Sequence, residues 1–248
     1  MRQGEAHARV LFGDYNPGGH LTQTWYKDDS QLYSYPDEFL WDYSIDNRNG
    51  APGRTYMYYN GTPRYVFGYG LSYTDFAISN MKVSGPADGK ITVTVDVKNT
   101  GAVDGADVVQ VYVKAPDAGN GTVPKQELKG FARVELKAGE TKQATVQIEL
   151  KDLMVIDPAT IGEDGFEEGR RVLMPGNYEI VAAYDSATPA ASKTVALTGE
   201  EMPLGLKLVT LTGDKVVALP GETFGSEVTV CLTDETFREP GKDGVTVT

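Results

Sequence analysis

Carboxylates are the residues of this sequence most able to do chemistry. Three pairs lie close enough together to test: Asp28/Asp29, Asp42/Asp46 and Glu167/Glu168. Acid–base work would need one carboxyl kept protonated by an apolar surround while its partner stays ionised. Each pair sits in polar sequence, so solvated acidic loops account for them better. His7 and His20 are separated by a turn, with no Cys/His cluster around them. They read as a helix-surface and a turn histidine rather than as metal ligands. Asn47, Asn49 and Gly50 match half of a calcium loop, but its first position would be Ile45, which has no oxygen to offer. Gly68-Tyr69-Gly70 lacks the following helix and lysine of a phosphate cradle, and there is no nucleophilic triad. Trp41 and Tyr43 could stack on pyranose rings, yet docking interfaces enrich the same residues and are the favoured reading. Asn60-Gly61-Thr62 and Asn120-Gly121-Thr122 satisfy the N-glycosylation pattern, but turn chemistry explains them more simply. The expectation is a chain with no catalytic residue, no metal site and no cofactor, and with substrate contacts undefined.

Composition narrows the partners. The 248 residues carry 23 basic and 35 acidic side chains, a net charge of −12. Nucleic acids and anionic membranes both need a basic surface and are excluded, whereas neutral sugars are compatible. Hydrophobic residues make up 40% and charged residues 23%, the balance of an ordinary soluble globular protein. Cys231 is the only cysteine, so no intrachain disulfide can form. The opening MRQGEAHARV lacks the apolar core of a signal peptide, and no apolar run approaches the ~18 residues of a membrane span.

The elements that would position any site centre on Gly53 to Phe76, GRTYMYYNGTPRYVFGYGLSYTDF, the stretch richest in aromatics and turn residues. Asn60-Gly61 suits a type I′ turn and predicts a hairpin between TYMYY and TPRYVF. Gly68 and Gly70 flank Tyr69 and let backbone approach closely. Upstream, residues 4–12 predict a helix with Ala6, Val10 and Phe12 on one face, stopped at Gly13. A turn over 14–19 and an extended segment over 21–26 follow. Residues 27–52 read as an aromatic, acidic connector without periodicity.

From Asp75 the pattern becomes alternating strands. Ile91, Val93, Val95 and Val97 alternate with polar residues, and similar runs cover 109–113, 128–136, 144–150 and 178–184, with a short edge at 195–197. Such strands with regular turns and no disulfide predict a mainly β fold, an antiparallel immunoglobulin-like sandwich over 76–197. Beyond Pro203 a further β pattern begins, in LKLVTLTG, KVVALPGE, SEVTVCLTD and GVTVT.

Several of these motifs resemble a known family. Gly53-Arg54-Thr55-Tyr56 followed by FGYGLSY (67–73) is similar to the junction between the α/β sandwich domain and the fibronectin type III-like domain of family 3 glycoside hydrolases. VLFGDYNPGG with HLTQTWY resembles the last helix and strand of that sandwich domain. It departs from the usual pattern at His20, where a basic residue is common, and at Thr22, where proline is common. VKNTGAVDGADVVQVYV, ELKGFARVELKAGET and MPGNYEIVAA resemble the fibronectin type III-like domain, and residues 203–248 the opening of a truncated bacterial Ig-like domain.

The resemblance implies a division into 1–26 (a remnant of the α/β sandwich domain), 27–75 (connector and hairpin), 76–197 (fibronectin type III-like) and 203–248. It further implies an accessory role for this segment in an enzyme of the β-xylosidase or β-glucosidase type. Family members are retaining glycosidases whose nucleophile is an Asp on an N-terminal barrel and whose acid/base is usually a Glu earlier in the sandwich domain. Both would precede residue 1. The implied partners are therefore the upstream barrel and sandwich domains and, through them, a β-linked oligosaccharide. An extracellular or cell-envelope parent fits that chemistry. The alternatives are a stand-alone carbohydrate-binding or adhesion module, or a gene fragment with no function of its own.

Overall fold

The computed structural model describes residues 3–28, 53–118, 123–156, 171–202, 206–210, 216–217, 225–226, 228–232 and 245–247. It divides into two compact units, residues 1–153 with 174–198, and 154–173 with 199–248.

The first unit begins with helix α1, Gln3–Leu11. Gly13 stops it at a φ of +83°, donating its N–H to the Val10 carbonyl at 3.1 Å. No residue of α1 is buried, and Leu11 and Phe12 are 78% and 84% exposed. The predicted apolar helix face thus has no cover among the described residues.

The expected hairpin at Asn60-Gly61 is not formed. Thr55–Tyr58 is instead a single helical turn, α2, and neither Asn60 nor Gly61 adopts the positive φ of a type I′ turn. The turn that does so lies further on. Asp88 and Gly89, at φ of 51° and 71°, join β1 (Phe76–Ala87) to β2 (Lys90–Asn99) with Ala87 opposite Lys90. The two dipeptides offer the same chemistry, and the flanks decide between them. Those of Asp88-Gly89 have a ladder to extend, whereas the tyrosines before Asn60 find partners by coiling.

Strands β3 (Gly105–Lys114), β4 (Glu127–Leu136) and β5 (Thr141–Glu149) follow. After β6 (Val155–Ile156) and β7 (Arg171–Leu173) come β8 (Gly176–Ala183) and β9 (Pro189–Leu197). One sheet has the order β1-β2-β5 and the other β4-β3-β8-β9, all antiparallel. β9 is longer than the 195–197 edge expected, and it starts on Pro189, which an outer strand tolerates.

Along the alternating strands Ile91, Val93, Val95, Val111, Val146, Ile148, Tyr178 and Ile180 are all buried. Tyr178 also closes a tyrosine corner, its hydroxyl donating to the Met174 carbonyl at 2.8 Å just before β8. Buried Asn99 ties a second corner. Its side chain donates to the Val103 carbonyl and accepts from Thr74 Oγ1 at 2.6 Å and from Gly101 N–H. Ile148 is fully buried, opposite Ile91 across the β2–β5 ladder. Replacing it with alanine is expected to cost about 2–5 kcal/mol of unfolding free energy, measured by urea titration. A loss below ~1 kcal/mol would mean that the inner faces are loosely packed.

The second unit holds the sheet β6-β7-β10, whose last strand is Glu200–Met202, and the strands β11 (Leu206–Thr210), β12 (Val216–Val217), β13 (Gly225–Ser226), β14 (Val228–Leu232) and β15 (Val245–Val247). β11-β14-β15 form one antiparallel sheet and β12-β13 a pair.

Candidate functional site

The first unit contains a docking site built by its own chain. The extended 20–25 segment pairs with 65–70 through bridges His20–Gly70 and Trp25–Tyr65. Leu21 N–H donates to the Tyr69 carbonyl and Gly68 N–H returns to the Leu21 carbonyl, both at 2.8 Å. This strap and α2 cover the face of the β4-β3-β8-β9 sheet turned away from the sandwich interior. Tyr112, Val181 and Ala183 are buried there under Tyr56, Phe67 and Leu128. Tyr56 stacks on Phe67 with ring centroids 4.3 Å apart and meets Tyr112 edge-on at 5.7 Å. Its hydroxyl accepts the Leu128 N–H at 2.9 Å. Ser186 N–H donates to the Phe67 carbonyl at 3.0 Å, and Lys125 bonds the Met57 and Tyr59 carbonyls with its backbone N–H and ammonium.

A polar node lies at the centre of this cover. Gln110, on β3, is 3% exposed. Its amide nitrogen donates to the Tyr184 carbonyl at 2.7 Å and the Gly68 carbonyl at 3.0 Å, while its oxygen accepts from Tyr112 at 2.6 Å. Burial pushes the Tyr112 phenol well up, so it stays a donor. Gly68 has a φ of +82°, and a Cβ there would lie 2.1 Å from Gln110 Oε1. Backbone and side chain meet so closely that only glycine fits.

His20 completes the node. Nδ1 lies 2.6 Å from the Gly68 carbonyl and Nε2 lies 3.2 Å from Asp107 Oδ1. Only the imidazolium, with an N–H on each nitrogen, makes both contacts at once. The hydrogen bond to Asp107 is the main cause that raises its pKa. Burial opposes it, and the Gly68 carbonyl and the charges of Asp107 and Asp185 add to it. With both nitrogens engaged, His20 has no free lone pair for base catalysis. The sequence places it as a plain turn histidine, and the structure corrects this. The available signal was the preference for a basic residue at this position in the resembling family.

The other candidates are dispersed or lie outside the described residues. His7 sits on exposed α1, and Asp28 is exposed. Asp29, Asp42, Asp46, Glu167, Glu168, Trp41, Tyr43, Asn47, Asn49 and Asn120 fall outside the described residues. Among the described residues no group of three or more His, Cys, Asp or Glu could hold a metal, and no helix is long and apolar enough to cross a membrane.

The first unit also has open clefts, one of which includes node residues. One of about 400 Å³ is bordered by His20, Ser72, Asp75, Asp107 and Asp185. The other, of about 460 Å³, is bordered by Tyr15, Arg133, Glu135, Glu140 and Lys142. In the second cleft Arg133 pairs with Glu135 and Lys142 with Glu140.

Comparison with known proteins agrees with this geometry. Residues 1–73 match the glycosyl hydrolase family 3 C-terminal domain and residues 107–186 the fibronectin type III-like domain. The chain is 38% identical over 179 residues to a xylan 1,4-beta-xylosidase of Xylanibacter ruminicola, covering 72% of this chain and 18% of that protein. It is 36% identical over 204 residues to a beta-xylosidase of Formosa agariphila, covering 80% and 25%. Among solved structures, the beta-D-glucoside glucohydrolase of Trichoderma reesei superimposes with a TM-score of 0.63 at 30% identity, over 79% of this chain and 29% of that one. The chain thus spans a quarter or less of the length of these two curated relatives. It belongs to glycosyl hydrolase family 3 and carries the end of that family's C-terminal domain joined to its fibronectin type III-like domain.

Proposed function

We propose that this chain is the bracing segment of a family 3 glycoside hydrolase acting on β-linked xylosides or glucosides. The observation that carries this reading is the shared aromatic core. The stretch that ends the family's C-terminal domain does not hang from the sandwich by a linker. It buries Tyr56 and Phe67 on Tyr112, Val181 and Ala183 of the fibronectin type III-like sheet. A second observation supports a seat for the rest of the parent enzyme on this unit. Leu11, Phe12, Tyr15, Leu71 and Tyr73 are exposed apolar side chains, and the Tyr73 hydroxyl on the Val10 carbonyl links α1 to the strap.

The reading is tested in a parent enzyme that includes the barrel and the complete sandwich domain. Tyr56→Ala there should remove an aromatic contact and lower the unfolding midpoint by several degrees. Its kcat/KM on an aryl β-xyloside or aryl β-glucoside, measured well below that midpoint, should stay within about threefold, since ~0.6 kcal/mol in a barrier is already that factor. A hundredfold fall in kcat with unchanged stability would place this segment in the catalytic site and refute the bracing role.

A further inference from the structure

We propose that His20, Gln110 and Gly68 form a proton-operated latch, which holds the 65–70 strap on strand β3 while the imidazole is charged and lets it go when the imidazole is neutral. The argument rests on counting protons. Gln110 has two amide protons. One is committed to the Tyr184 carbonyl at 2.7 Å, and Tyr112, bonded to Gln110 Oε1 at 2.6 Å, fixes which way the amide faces. The second points between two acceptors, the Gly68 carbonyl at 3.0 Å and His20 Nδ1 at 3.4 Å. While His20 is charged, Nδ1 carries its own proton and bonds the same carbonyl at 2.6 Å, so Gly68 is held by two donors.

Loss of one proton changes the whole count. The proton that leaves is the one on Nδ1, because Nε2–H faces the Asp107 carboxylate, whose negative charge keeps it. A ring lone pair then confronts a carbonyl lone pair at 2.6 Å, which is repulsive. The second Gln110 proton is a short swing from Nδ1. Moving there satisfies the neutral ring and leaves the Gly68 carbonyl with neither donor. The strap is held on β3 at this point by those bonds, so it is the part that moves. Small residues make the site responsive, since a Cβ at Gly70 would lie 2.8 Å from the His20 ring and one at Gly68 would collide with Gln110.

The charges that face His20 all favour its proton. Asp107 comes from β3, Asp185 from the turn between β8 and β9, and Asp75 lines the same cleft from the segment before β1. Among the described residues that line this cleft there is no Lys or Arg. The direction of the latch follows. A group whose folded pKa is raised gives stability that is complete below its ordinary value, and that is lost as pH rises through the raised value. The strap is therefore locked below the ordinary histidine value and released as pH rises through the raised one.

The test uses the 248-residue chain carrying His7→Gln, so that His20 is the sole histidine, labelled with ¹⁵N and titrated by NMR. The His20 ring is expected to titrate above the ordinary histidine value of about 6.5. The Gln110 side-chain amide and the Gly68 backbone amide should shift with the same midpoint. Exchange protection of the Ser186 amide, which reports strap contact through the Phe67 carbonyl, should fall through that midpoint after correction for intrinsic exchange. The fall is about tenfold for each unit by which the pKa is raised. A His20→Lys chain keeps its charge over this range and should hold Ser186 protection flat. The latch is overturned if His20 titrates at or below the ordinary value, if Gln110 does not follow it, or if protection falls equally in His20→Lys. The first two measurements need no variant at position 20, so a misfolded His20→Lys chain leaves the decision intact.

Discussion

Incubated with aryl β-xylosides or aryl β-glucosides, the 248-residue chain is expected to release no product above background, whereas an extended chain with the barrel and complete sandwich domain should turn over. Retaining hydrolysis needs a nucleophilic carboxylate and a second carboxyl of raised pKa about 5–5.5 Å away. The displaced carboxyls of the described residues go the other way. Glu135 is held down by Arg133, Glu140 by the Lys137 N–H, Glu149 by Lys151 and Glu179 by Lys114. A carboxyl stabilised as its anion is a poor proton donor. The one carboxylate–imidazole pair of the node, Asp107 with His20, is fully committed to holding the strap. Enzymes accelerate such reactions at least about 10⁶-fold, and all of that is expected to be missing. Turnover that survives repurification and is abolished by one Asp or Glu substitution within residues 1–248 would overturn the bracing role.

Gln110→Leu is expected to be among the most damaging single substitutions in the first unit. Leucine fills similar space but can neither donate nor accept. The Tyr112 hydroxyl loses its acceptor and the Tyr184 carbonyl its amide donor, while the Gly68 carbonyl keeps only His20. Each buried polar group left unpaired costs roughly 1–3 kcal/mol, so two of them amount to about 2–6 kcal/mol. Domain stabilities are about 5–15 kcal/mol, so urea unfolding should show a large drop in midpoint with little change in slope. Adding Tyr112→Phe removes the orphaned hydroxyl and should recover about 1–3 kcal/mol. If the double substitution is no more stable than Gln110→Leu alone, the hydroxyl was not buried against Gln110, and the node does not have the structure described.

The sandwich was legible wherever side chains obey a local period. Ile91 to Val97 and Ala144 to Ile148 alternate strictly, and burial against an opposing sheet follows from that pattern alone. The family was legible too, because FGYGLSY and GRTY pack glycines and aromatics at fixed spacing. β1 was harder to read. Its register shifts between Ser79 and Lys82, with Asn80 at a φ of 54°, so buried Ile78 and Met81 stand three apart instead of two. A bulge removes the period on which strand recognition depends.

Composition, charge and alternation by themselves determined a mainly β, acidic chain, because each is a property of neighbouring residues. Only the tertiary structure decided that Asp88-Gly89 and not Asn60-Gly61 makes the type I′ turn, since both dipeptides allow it and the partners of their flanks choose. It alone also decided that His20 clasps the strap to Asp107. His20 and Gln110 are 90 positions apart in the chain, and they meet only because the strap crosses the outer face of the sheet. A titratable side chain takes its properties from the groups that fold against it, and no local pattern around His20 specifies those.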